Sequence, residues 1–469
     1  MRAFLLACTV AGVAVGGTAS AQIRTLQDAL VAAYATNPQL LSARAQLRAT
    51  DEGVPQALAG WRPTVTVSGS VGYADGTYRT TSRAAGLDGT TSSVVRNNRD
   101  LFQAAATATQ PLYRGGATRA STNQADNRVF GQRGRLMATE QQVFTDTVTA
   151  YVNVIQAQQL LQLQINNEQV LTRQLQATND RFRVGEITRT DVAQAEAALA
   201  GAVSVRQSAA GTLATARATF QRELGVLPQG QLANPQPLAL PVKTEAEASQ
   251  LAAQNNPNVV AAMFDDAAAK DAIDLAFSAL MPQVSAQAQA FRNDNTAVQG
   301  QRTIGGQVLL NASVPIYQGG AEYSRVRQAR QTEQQSRQTL DDTRRAAIQQ
   351  ALQQWETLVS VRATIESTRA QIRANEVALE GVQREAIVGS RTTLDVLNAE
   401  QTLLNSRVTL VQNLAQLVTA SYSVAAAIGR LTARDLALKV PLYDETAYYN
   451  SVRDRLFGVS DYATDQPNR

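Results

Sequence analysis

Paired carboxylates are the groups in this sequence whose type and spacing could support acid–base chemistry. Asp265-Asp266 and Asp341-Asp342 are adjacent pairs, but both lie in stretches with a helical pattern, where neighbouring side chains point about 100° apart. The chain has no histidine, the commonest general base and metal ligand, so Ser-His and Cys-His arrangements are excluded. Cys8 is the only cysteine. We therefore expect no enzyme activity, no metal site and no cofactor.

The N-terminal 21 residues have the pattern of a secretory signal peptide. Arg2 gives a basic start, Ala3 to Val15 an apolar stretch, and Ala19-Ser20-Ala21 a small-residue cleavage site. Lipid attachment at Cys8 is an alternative, but most of the apolar stretch would then follow the cysteine instead of preceding it. Removal of the signal would leave a mature chain without a thiol.

The charge distribution argues against a nucleic-acid partner. The formal net charge is +4, and nearly all of the basic residues are arginines. They are scattered among Gln, Asp and Glu instead of forming a basic stripe.

The two halves of the chain match each other, which predicts a tandem repeat. Asn37-Pro38 corresponds to Asn256-Pro257, and the segment from Pro111 to Ala117 corresponds to the one from Pro315 to Ala321. The predicted repeats cover residues 22–225 and 244–429. The proline-rich crossing segment 226–243 lies between them, and an equatorial segment at 430–458 and a disordered tail at 459–469 follow.

Four segments alternate between apolar and polar residues, as strands with one dry and one wet face do. Their lengths are close to the roughly 9 to 11 residues that a tilted strand needs to cross a bilayer. A soluble sandwich would show the same alternation, but the signal peptide and the long helices favour a membrane. The Gly-, Thr-, Ser- and Asn-rich stretch from Asp75 to Asn98 is predicted as a loop. The four segments are Pro63 to Tyr73, Leu101 to Tyr113, Val284 to Ala290, and Ile304 to Val314.

Two long helices are predicted after Gly116 and Gly320, because roughly 67 proline-free residues would form helices of about 100 Å. Leu358, Ile365, Ile372, Leu379 and Ala386 recur every seven residues, as do Val154, Leu161, Leu175 and Phe182 with Glu168 in the gap, which indicates coiled-coil-like packing. Shorter helices would return to Gly225 and Gly429. One helix from Leu26 to Leu58 is expected to continue the returning helix end to end.

The sharp turn between each long helix and its returning helix has a specific pattern. Gly185 and Gly389 suit the left-handed residue that ends a helix. Thr188 with Asp191, and Thr392 with Asp395, match a cap and its third helical position.

These motifs resemble the TolC family of outer-membrane efflux and secretion channels, from the mature N-terminus to about Gly458. The most specific elements are Val314-Pro315-Ile316-Tyr317-Gln318-Gly319-Gly320 and the segment from Val388 to Leu397. The resemblance implies a membrane α+β fold. Three copies would each give four strands to a twelve-stranded β-barrel, which a long α-helical barrel continues across the periplasm.

The resemblance also implies a gate at the helix turns. By matching motif positions, Thr190, Asp191 and Arg391 would link the closed gate, and Asp395 would form an acidic ring. Asn398 stands where a second ring carboxylate is common, and Ala386 where a tyrosine can join the link. For Asp191 and Asp395 the alternative role is helix capping.

Two further groups of residues have expected roles. The turn tips would dock a periplasmic adaptor, through Val184, Gly185, Glu186, Val388, Gly389, Ser390 and Thr392. At the strand-to-helix junctions, Tyr113 and Tyr317 would form an aromatic girdle or simply pack at a bend. The glycine pairs there, Gly115-Gly116 and Gly319-Gly320, would bend the backbone rather than bind a phosphate.

The implied function is an exit duct for type I protein secretion, multidrug efflux or both. Its partners would be two further copies, outer-membrane lipid, a periplasmic adaptor, and an inner-membrane transporter of the ABC or the proton-driven type. A structural coiled-coil or adhesin-like surface protein is the alternative from another class, although it would not need four alternating strands. A third option is a member of the family that serves only as a membrane anchor.

Overall fold

A computed structural model describes residues 23–83, 90–228, 230–296 and 299–460. The predicted signal peptide with Cys8, and nearly all of the predicted tail, lie outside the described residues. Ten α-helices and four strands are found in the described part. In the first half they are α1 Leu26–Thr36, α2 Pro38–Asp51, α3 Gly53–Leu58, β1 Thr64–Arg83, β2 Thr90–Arg114, α4 Ala117–Arg183 and α5 Arg189–Leu224.

The second half has nearly the same order of elements. They are α6 Glu245–Asn255, α7 Pro257–Ser278, β3 Gln283–Asp294, β4 Arg302–Ser313, α8 Ala321–Ile387, α9 Thr393–Ala427 and, near the C-terminus, α10 Ala447–Val452. Across the described residues no helix combines the length and the apolar character needed to span a membrane.

The four strands form one antiparallel sheet in the order β1-β2-β3-β4. Thr64 lies opposite Thr109 in the first hairpin, and Gln283 lies opposite Ser313 in the second. One face of the sheet is apolar and the other is uncharged and polar along most of its height, as the alternation predicts. The apolar face includes Val65, Val67, Val71, Ala104, Ala106, Ala108, Ala288, Val308 and Leu310.

The prediction of a loop from Asp75 to Asn98 is wrong. β1 has 20 residues and reaches Arg83, and β2 has 25 residues and starts at Thr90. The register from Thr64 continues without a break to Arg83. Thr, Ser and Val favour strands, so a polar composition at this place indicates an exposed hairpin and not an irregular loop.

The prediction of two very long helices is confirmed, since α4 and α8 each have 67 residues. Gly116 and Gly320 precede them with φ of 88° and 83°. The heptad pattern in α8 is also confirmed, with Leu358 and Ile365 buried. In α4, Phe182 is 42 % exposed, so the pattern stops short of the turn.

A single helix from Leu26 to Leu58 is wrong, because the chain breaks at Asn37-Pro38. Pro38 has no N–H for the helical ladder, and its ring would clash with the preceding turn. Asn37 takes an extended conformation and begins α2 instead, with its Oδ1 accepting from the Gln39 N–H at 2.9 Å. Its Nδ2 donates to the Glu223 carbonyl at the end of α5, at 3.2 Å. Only the part after Asn37 therefore continues the returning helix.

The second half repeats this joint with the same chemistry. Asn256 Oδ1 accepts from the Asn258 N–H at 3.0 Å, and Asn256 Nδ2 donates to the Ala427 carbonyl at 3.1 Å. α7 therefore continues α9. The expected end-to-end extension is confirmed in this form.

The main apolar core lies where α1, α4 and α5 meet the crossing segment and the C-terminal segment. Tyr151 and Phe220 are fully buried there, and the Tyr151 hydroxyl lies 2.9 Å from both the Arg24 and the Ala233 carbonyl oxygens. The Arg44 guanidinium lies over the rings of Tyr34 and Tyr443, at 4.5 and 5.0 Å from their centroids.

Candidate functional site

Both helix turns are closed by the same backbone motif. Gly185 and Gly389 have φ of 78° and 81°, a left-handed conformation that glycine adopts without a steric penalty. The Glu186 N–H bonds the Arg181 carbonyl at 3.0 Å, and the Ser390 N–H makes the same bond to the Glu385 carbonyl at 3.0 Å. This pairing is the Schellman motif, which satisfies carbonyls left over at a helix end.

The returning helices begin with complete capping boxes. The Thr188 hydroxyl oxygen accepts from the Asp191 N–H, while Asp191 Oδ2 accepts from the Thr188 N–H at 3.0 Å and from the Thr188 hydroxyl at 2.6 Å. Thr392 and Asp395 form the same box, with Asp395 Oδ2 3.0 Å from the Thr392 backbone nitrogen. The capping role of both aspartates is therefore confirmed.

These hydrogen bonds also keep both carboxylates charged. The side-chain bond from Thr188 lowers the pKa of Asp191, and the backbone bond from Thr392 lowers the pKa of Asp395. A hydrogen bond to the ionised form stabilises that form. The two turns therefore carry permanent negative charge at neutral pH.

An ion pair closes each turn, with opposite polarity in the two turns. Arg181 in α4 pairs with Glu186 in the first turn at 2.5 Å. Glu385 in α8 pairs with Arg391 in the second turn, with 2.9 Å between Glu385 Oε2 and Arg391 Nε. The hydrogen bond that Arg391 donates to Glu385 raises the pKa of Arg391. The tip of the first turn thus presents an acidic residue, Glu186, and the tip of the second presents a basic residue, Arg391.

Sequence reasoning missed the helix-borne members of these pairs, Arg181 and Glu385. Their spacing from Glu186 and Arg391 follows no helical rule, because the partner lies beyond the turn. Arg391 pairs with Glu385, in the helix that precedes its own turn. Thr190 and Asp191, in the other turn, take no part in this ion pair.

The remaining tip residues are largely exposed. Val184 and Val388 are each 78 % exposed. Thr190, Thr392 and Asn398 are exposed, whereas Ala386 is buried. Each turn therefore presents an apolar valine next to a fixed charge.

At the opposite end of the long helices, all four junction glycines have positive φ, as the predicted bend requires. Tyr113 and Tyr317 are 47 % and 77 % exposed. The two junctions differ in their packing. A Cβ at Gly115 would lie 2.5 Å from Met281 Cβ, whereas no described atom lies within 4 Å of a Cβ at Gly319.

Two acidic residues in buried surroundings, Asp51 and Glu140, lie outside the predicted sites. Asp51 at the end of α2 is only 1 % exposed, and neither carboxylate oxygen has a hydrogen-bond partner among the described residues. Burial raises the pKa of Asp51 to about 7, against an opposing effect of Arg133. Nearby, burial raises the pKa of Glu140, which accepts from the Ala433 N–H at 2.6 Å.

The described part of the chain contains no group of three or more His, Cys, Asp or Glu residues with metal-binding geometry.

Two long helical hairpins standing on a four-stranded sheet define the fold of an outer-membrane channel. The solved structure of the outer membrane protein VceC from Vibrio cholerae matches with a TM-score of 0.72 and 18 % identity, covering 86 % of this chain and 96 % of that chain.

Sequence comparison agrees with the fold. The outer membrane efflux protein BepC of Brucella suis biovar 1 (strain 1330) is 35 % identical over 442 residues, which cover 93 % of this chain and 92 % of BepC. The outer membrane protein TolC of Escherichia coli (strain K12) is 26 % identical over 449 residues, which cover 91 % of this chain and 86 % of TolC. The model of the outer membrane efflux protein family matches residues 29–226 and 248–430. This chain belongs to that family and is an outer-membrane protein that extends into the periplasm.

Proposed function

We propose that three copies of this chain close into a conduit that carries substrates out through the outer membrane. The observation that carries the proposal is the sheet, in which one face is apolar and β1 and β4 are edge strands. An open edge in lipid would leave backbone N–H and C=O groups without partners. Four strands are too few to close on themselves, because the smallest outer-membrane barrels have about eight. Three copies would give a twelve-stranded barrel.

The uneven burial of the two long helices supports the same assembly. Phe144 and Val148 of α4 are buried, whereas the corresponding Ile348 and Leu352 of α8 are only half-buried. We interpret the two halves as tandem duplicates. In the single chain, the second half packs against α4. The first half of a neighbouring copy would then pack against α8 in the same way.

The two faces of the sheet suit lipid outside and water inside. On the polar face, Gln307 Nε2 donates to Gln289 Oε1 at 2.7 Å, and Asn311 Nδ2 donates to Gln287 Oε1 at 3.1 Å. Hydroxyl and amide side chains such as those of Ser70, Gln103 and Thr107 share this face. Such a lumen solvates a passing substrate without binding it strongly, and Tyr113 and Tyr317 would mark the membrane boundary beneath it.

The helix turns would form the periplasmic entrance. Asp395 of three copies would place a ring of carboxylates there, while Thr190, Asp191 and Arg391 would link neighbouring turns in the closed state. Asn398 supplies no further charge, so the second turn contributes three carboxylates instead of six. The ion pair of Arg391 with Glu385 supports a gate in which Arg391 exchanges partners. It would pair with Glu385 of its own chain in one state and with a neighbouring turn in the closed state.

The tips would dock a periplasmic adaptor, and through it an inner-membrane transporter of the ABC or the proton-driven type. Val184 and Val388 offer apolar contacts, and Gly185, Glu186, Gly389, Ser390 and Thr392 surround them. The protein itself would perform no chemistry, because its role is to provide a path.

Single-channel recording in planar lipid bilayers tests the proposal. Purified protein should give discrete conductance steps. Asp191→Ala combined with Arg391→Ala should raise the open conductance or the open fraction several-fold by weakening the gate. If both proteins leave the bilayer silent after confirmed insertion, the protein is not a conduit.

A further inference from the structure

A cluster of charged side chains lies on the apolar face of the sheet, at the end far from the helices. We infer that Arg292 and Arg302 bind the phosphate of an outer-leaflet membrane lipid, whose acyl chain lies in a groove on the same face. This inference rests on the proposed function, which puts lipid against this face of the sheet. It does not depend on the number of copies.

Asp294 holds the two arginines side by side. Its Oδ2 accepts from Arg292 Nη2 at 2.7 Å, and its Oδ1 accepts from Arg302 Nε at 3.0 Å. The Arg292 guanidinium also lies 5.4 Å from the centroid of the Phe102 ring, a cation–π contact that fixes its position. Two guanidiniums therefore share one carboxylate, which neutralises only one of them.

Both guanidiniums are open to a further acceptor. The side chains of Arg292 and Arg302 are 45 % and 62 % exposed, whereas that of Asp294 is 16 % exposed. Asp100, the next carboxylate on this face, forms no ion pair with either arginine in the part of the chain that the structure describes. Guanidinium N–H groups match the oxygens of phosphate, which they can bind in pairs. The cluster therefore suits an anionic phosphate.

The cluster lies at the height where lipid headgroups begin. Val284 starts the apolar face of β3, and Arg292 continues the same alternation eight residues later. Eight residues span about 27 Å along a strand, or about 20 Å in height when the strand is tilted, close to the apolar band of about 25 Å in outer-membrane proteins. Since the helices extend into the periplasm, this end of the sheet faces the outer leaflet.

A shallow groove of about 400 Å³ runs along the apolar face toward the cluster. Val65 of β1 and Val308 of β4 form its walls, and both are exposed. Alanines of the two central strands form its floor, and the pair after Ala106 and Ala290 on this face is Ala104 with Arg292. The floor therefore ends at the arginine. The floor residues are Ala106, Ala108, Ala288 and Ala290.

The groove and the cluster fit two parts of one molecule. An apolar groove alone would accept the chain of any lipid. A guanidinium pair next to hydrocarbon adds a preference for an anionic headgroup, because charges attract more strongly where the dielectric constant is low. The ligand class is therefore a phosphorylated and acylated lipid. Lipid A, the acylated disaccharide diphosphate of the outer leaflet, is a suitable probe.

Titration of the detergent-solubilised protein with lipid A tests the inference, with the bound lipid counted by native mass spectrometry. Arg292→Gln combined with Arg302→Gln should weaken binding by about tenfold or more, because it removes two charge-assisted contacts. The matched control is Arg79→Gln combined with Arg96→Gln. It removes the same charge from the same face of the first hairpin and should leave binding nearly unchanged.

Two further variants probe the headgroup and the acyl chain separately. Asp294→Asn should strengthen lipid A binding several-fold, because it frees both guanidiniums for the phosphate. A purely structural ion pair would give no such gain. Ala106→Leu combined with Ala288→Leu fills the groove and should weaken binding several-fold without any change of charge. Thermal unfolding of each variant in detergent controls for loss of the fold.

The outcomes distinguish this site from the conduit. Equal binding by the parent protein and the Arg292→Gln, Arg302→Gln variant would overturn the site. Equal losses in both double arginine variants would overturn it too, because the attraction would then come from the general surface charge. A protein that conducts but does not bind lipid A contradicts this inference alone. One that binds lipid A but leaves the bilayer silent contradicts the proposed function alone.

Discussion

Asp51 lies in an environment that is poorly compatible with its charge. It is buried beside α4 and the C-terminal segment, and neither of its oxygens has a described hydrogen-bond partner. Burial disfavours the carboxylate, which is why the pKa of Asp51 is raised to about 7. The folded chain therefore holds a proton that the unfolded chain releases near the ordinary value for aspartate. Stability is full at low pH and declines as the pH rises to about 7.

Asp51→Asn should remove this pH dependence. The amide is neutral at every pH, so the variant should be more stable than the parent protein above pH 7, by on the order of 3 kcal/mol, because each unit by which the pKa is raised corresponds to about 1.4 kcal/mol. The two proteins should be alike near pH 4. Thermal unfolding in detergent across this range measures the effect, with Asp274→Asn, an exposed position, as control. Equal pH profiles for the parent and Asp51→Asn would refute the account of this site.

Asp395 combines a capping role, which is seen, with a charge-ring role, which is proposed. Asn retains an oxygen for the Thr392 N–H but carries no charge, whereas Ala loses both properties. Asp395→Asn should therefore lower the cation-over-anion permeability ratio several-fold and leave thermal stability nearly unchanged, and Asp395→Ala should change both. Reversal potentials in asymmetric salt measure the ratio. An unchanged ratio in both variants would leave Asp395 as a helix cap alone.

At the scale of elements, the two Asn-Pro joints align four helices end to end in two pairs, α5 with α2 and α9 with α7. Each asparagine uses its oxygen to start one helix and its amide nitrogen to satisfy the end of another. Proline after the asparagine suits the first helical position, where no N–H bond is needed. Any residue lacking either group would leave one helix end without its partner.

Asn37→Ala should destabilise the protein by about 1–2 kcal/mol, because it removes the cap of α2 and the donor to the Glu223 carbonyl. Asn37→Ser keeps a capping hydroxyl and adds no charge, so it loses only the donor and should cost less. Thermal unfolding compares them, and Asn256→Ala at the equivalent joint should repeat the Asn37→Ala result. A loss with Asn37→Ser as large as that with Asn37→Ala would mean that the cap contributes little.

Most elements could be predicted from the sequence because their signals are local. The 67-residue helices follow from the absence of proline and from heptads such as Leu358 and Ile365, and the turns follow from Gly185, Gly389 and the Thr-Asp boxes. The long hairpin beyond Tyr73 was missed because polar, glycine-containing strands and loops share a composition. The break at Asn37 was missed although Pro38 signalled it.

The candidate site was predictable only in part. The capping of Asp191 and Asp395 depends on residues three positions away and could be predicted. The ion pairs of Arg181 and Glu385 reach around a turn, and the burial of Asp51 depends on the C-terminal segment, more than 380 residues further along the chain. Contacts between distant segments have no local pattern to reveal them.

At the scale of the whole molecule, the two junction glycines differ in a way that a single chain cannot explain. Gly115 packs against Met281 and Ser278, whereas Gly319 faces open space in the described chain. The residues that correspond to Ser278 and Met281 are Ala59 and Arg62. In the proposed ring, these residues of a neighbouring copy would lie against Gly319.

Gly319→Ala and Gly115→Ala should therefore destabilise the assembled protein to a similar extent. Both add left-handed strain of about 1–2 kcal/mol, and in the ring both also add a steric clash. Gly381→Ala, in a helix interior with no described atom near its Cβ, should be neutral or slightly stabilising and serves as control. Unfolding temperatures of the three variants measure this. A much milder effect of Gly319→Ala than of Gly115→Ala would indicate that no neighbour covers that junction.

The number of chains in the detergent-extracted protein is the most direct test of the conduit. Native mass spectrometry of the intact protein, released from its micelle, counts the copies without a lipid bilayer or a partner protein. We predict three copies held together by the paired edges of β4 and β1, with no appreciable monomer. A folded monomer, or any other copy number as the main species, would contradict the proposed closed barrel.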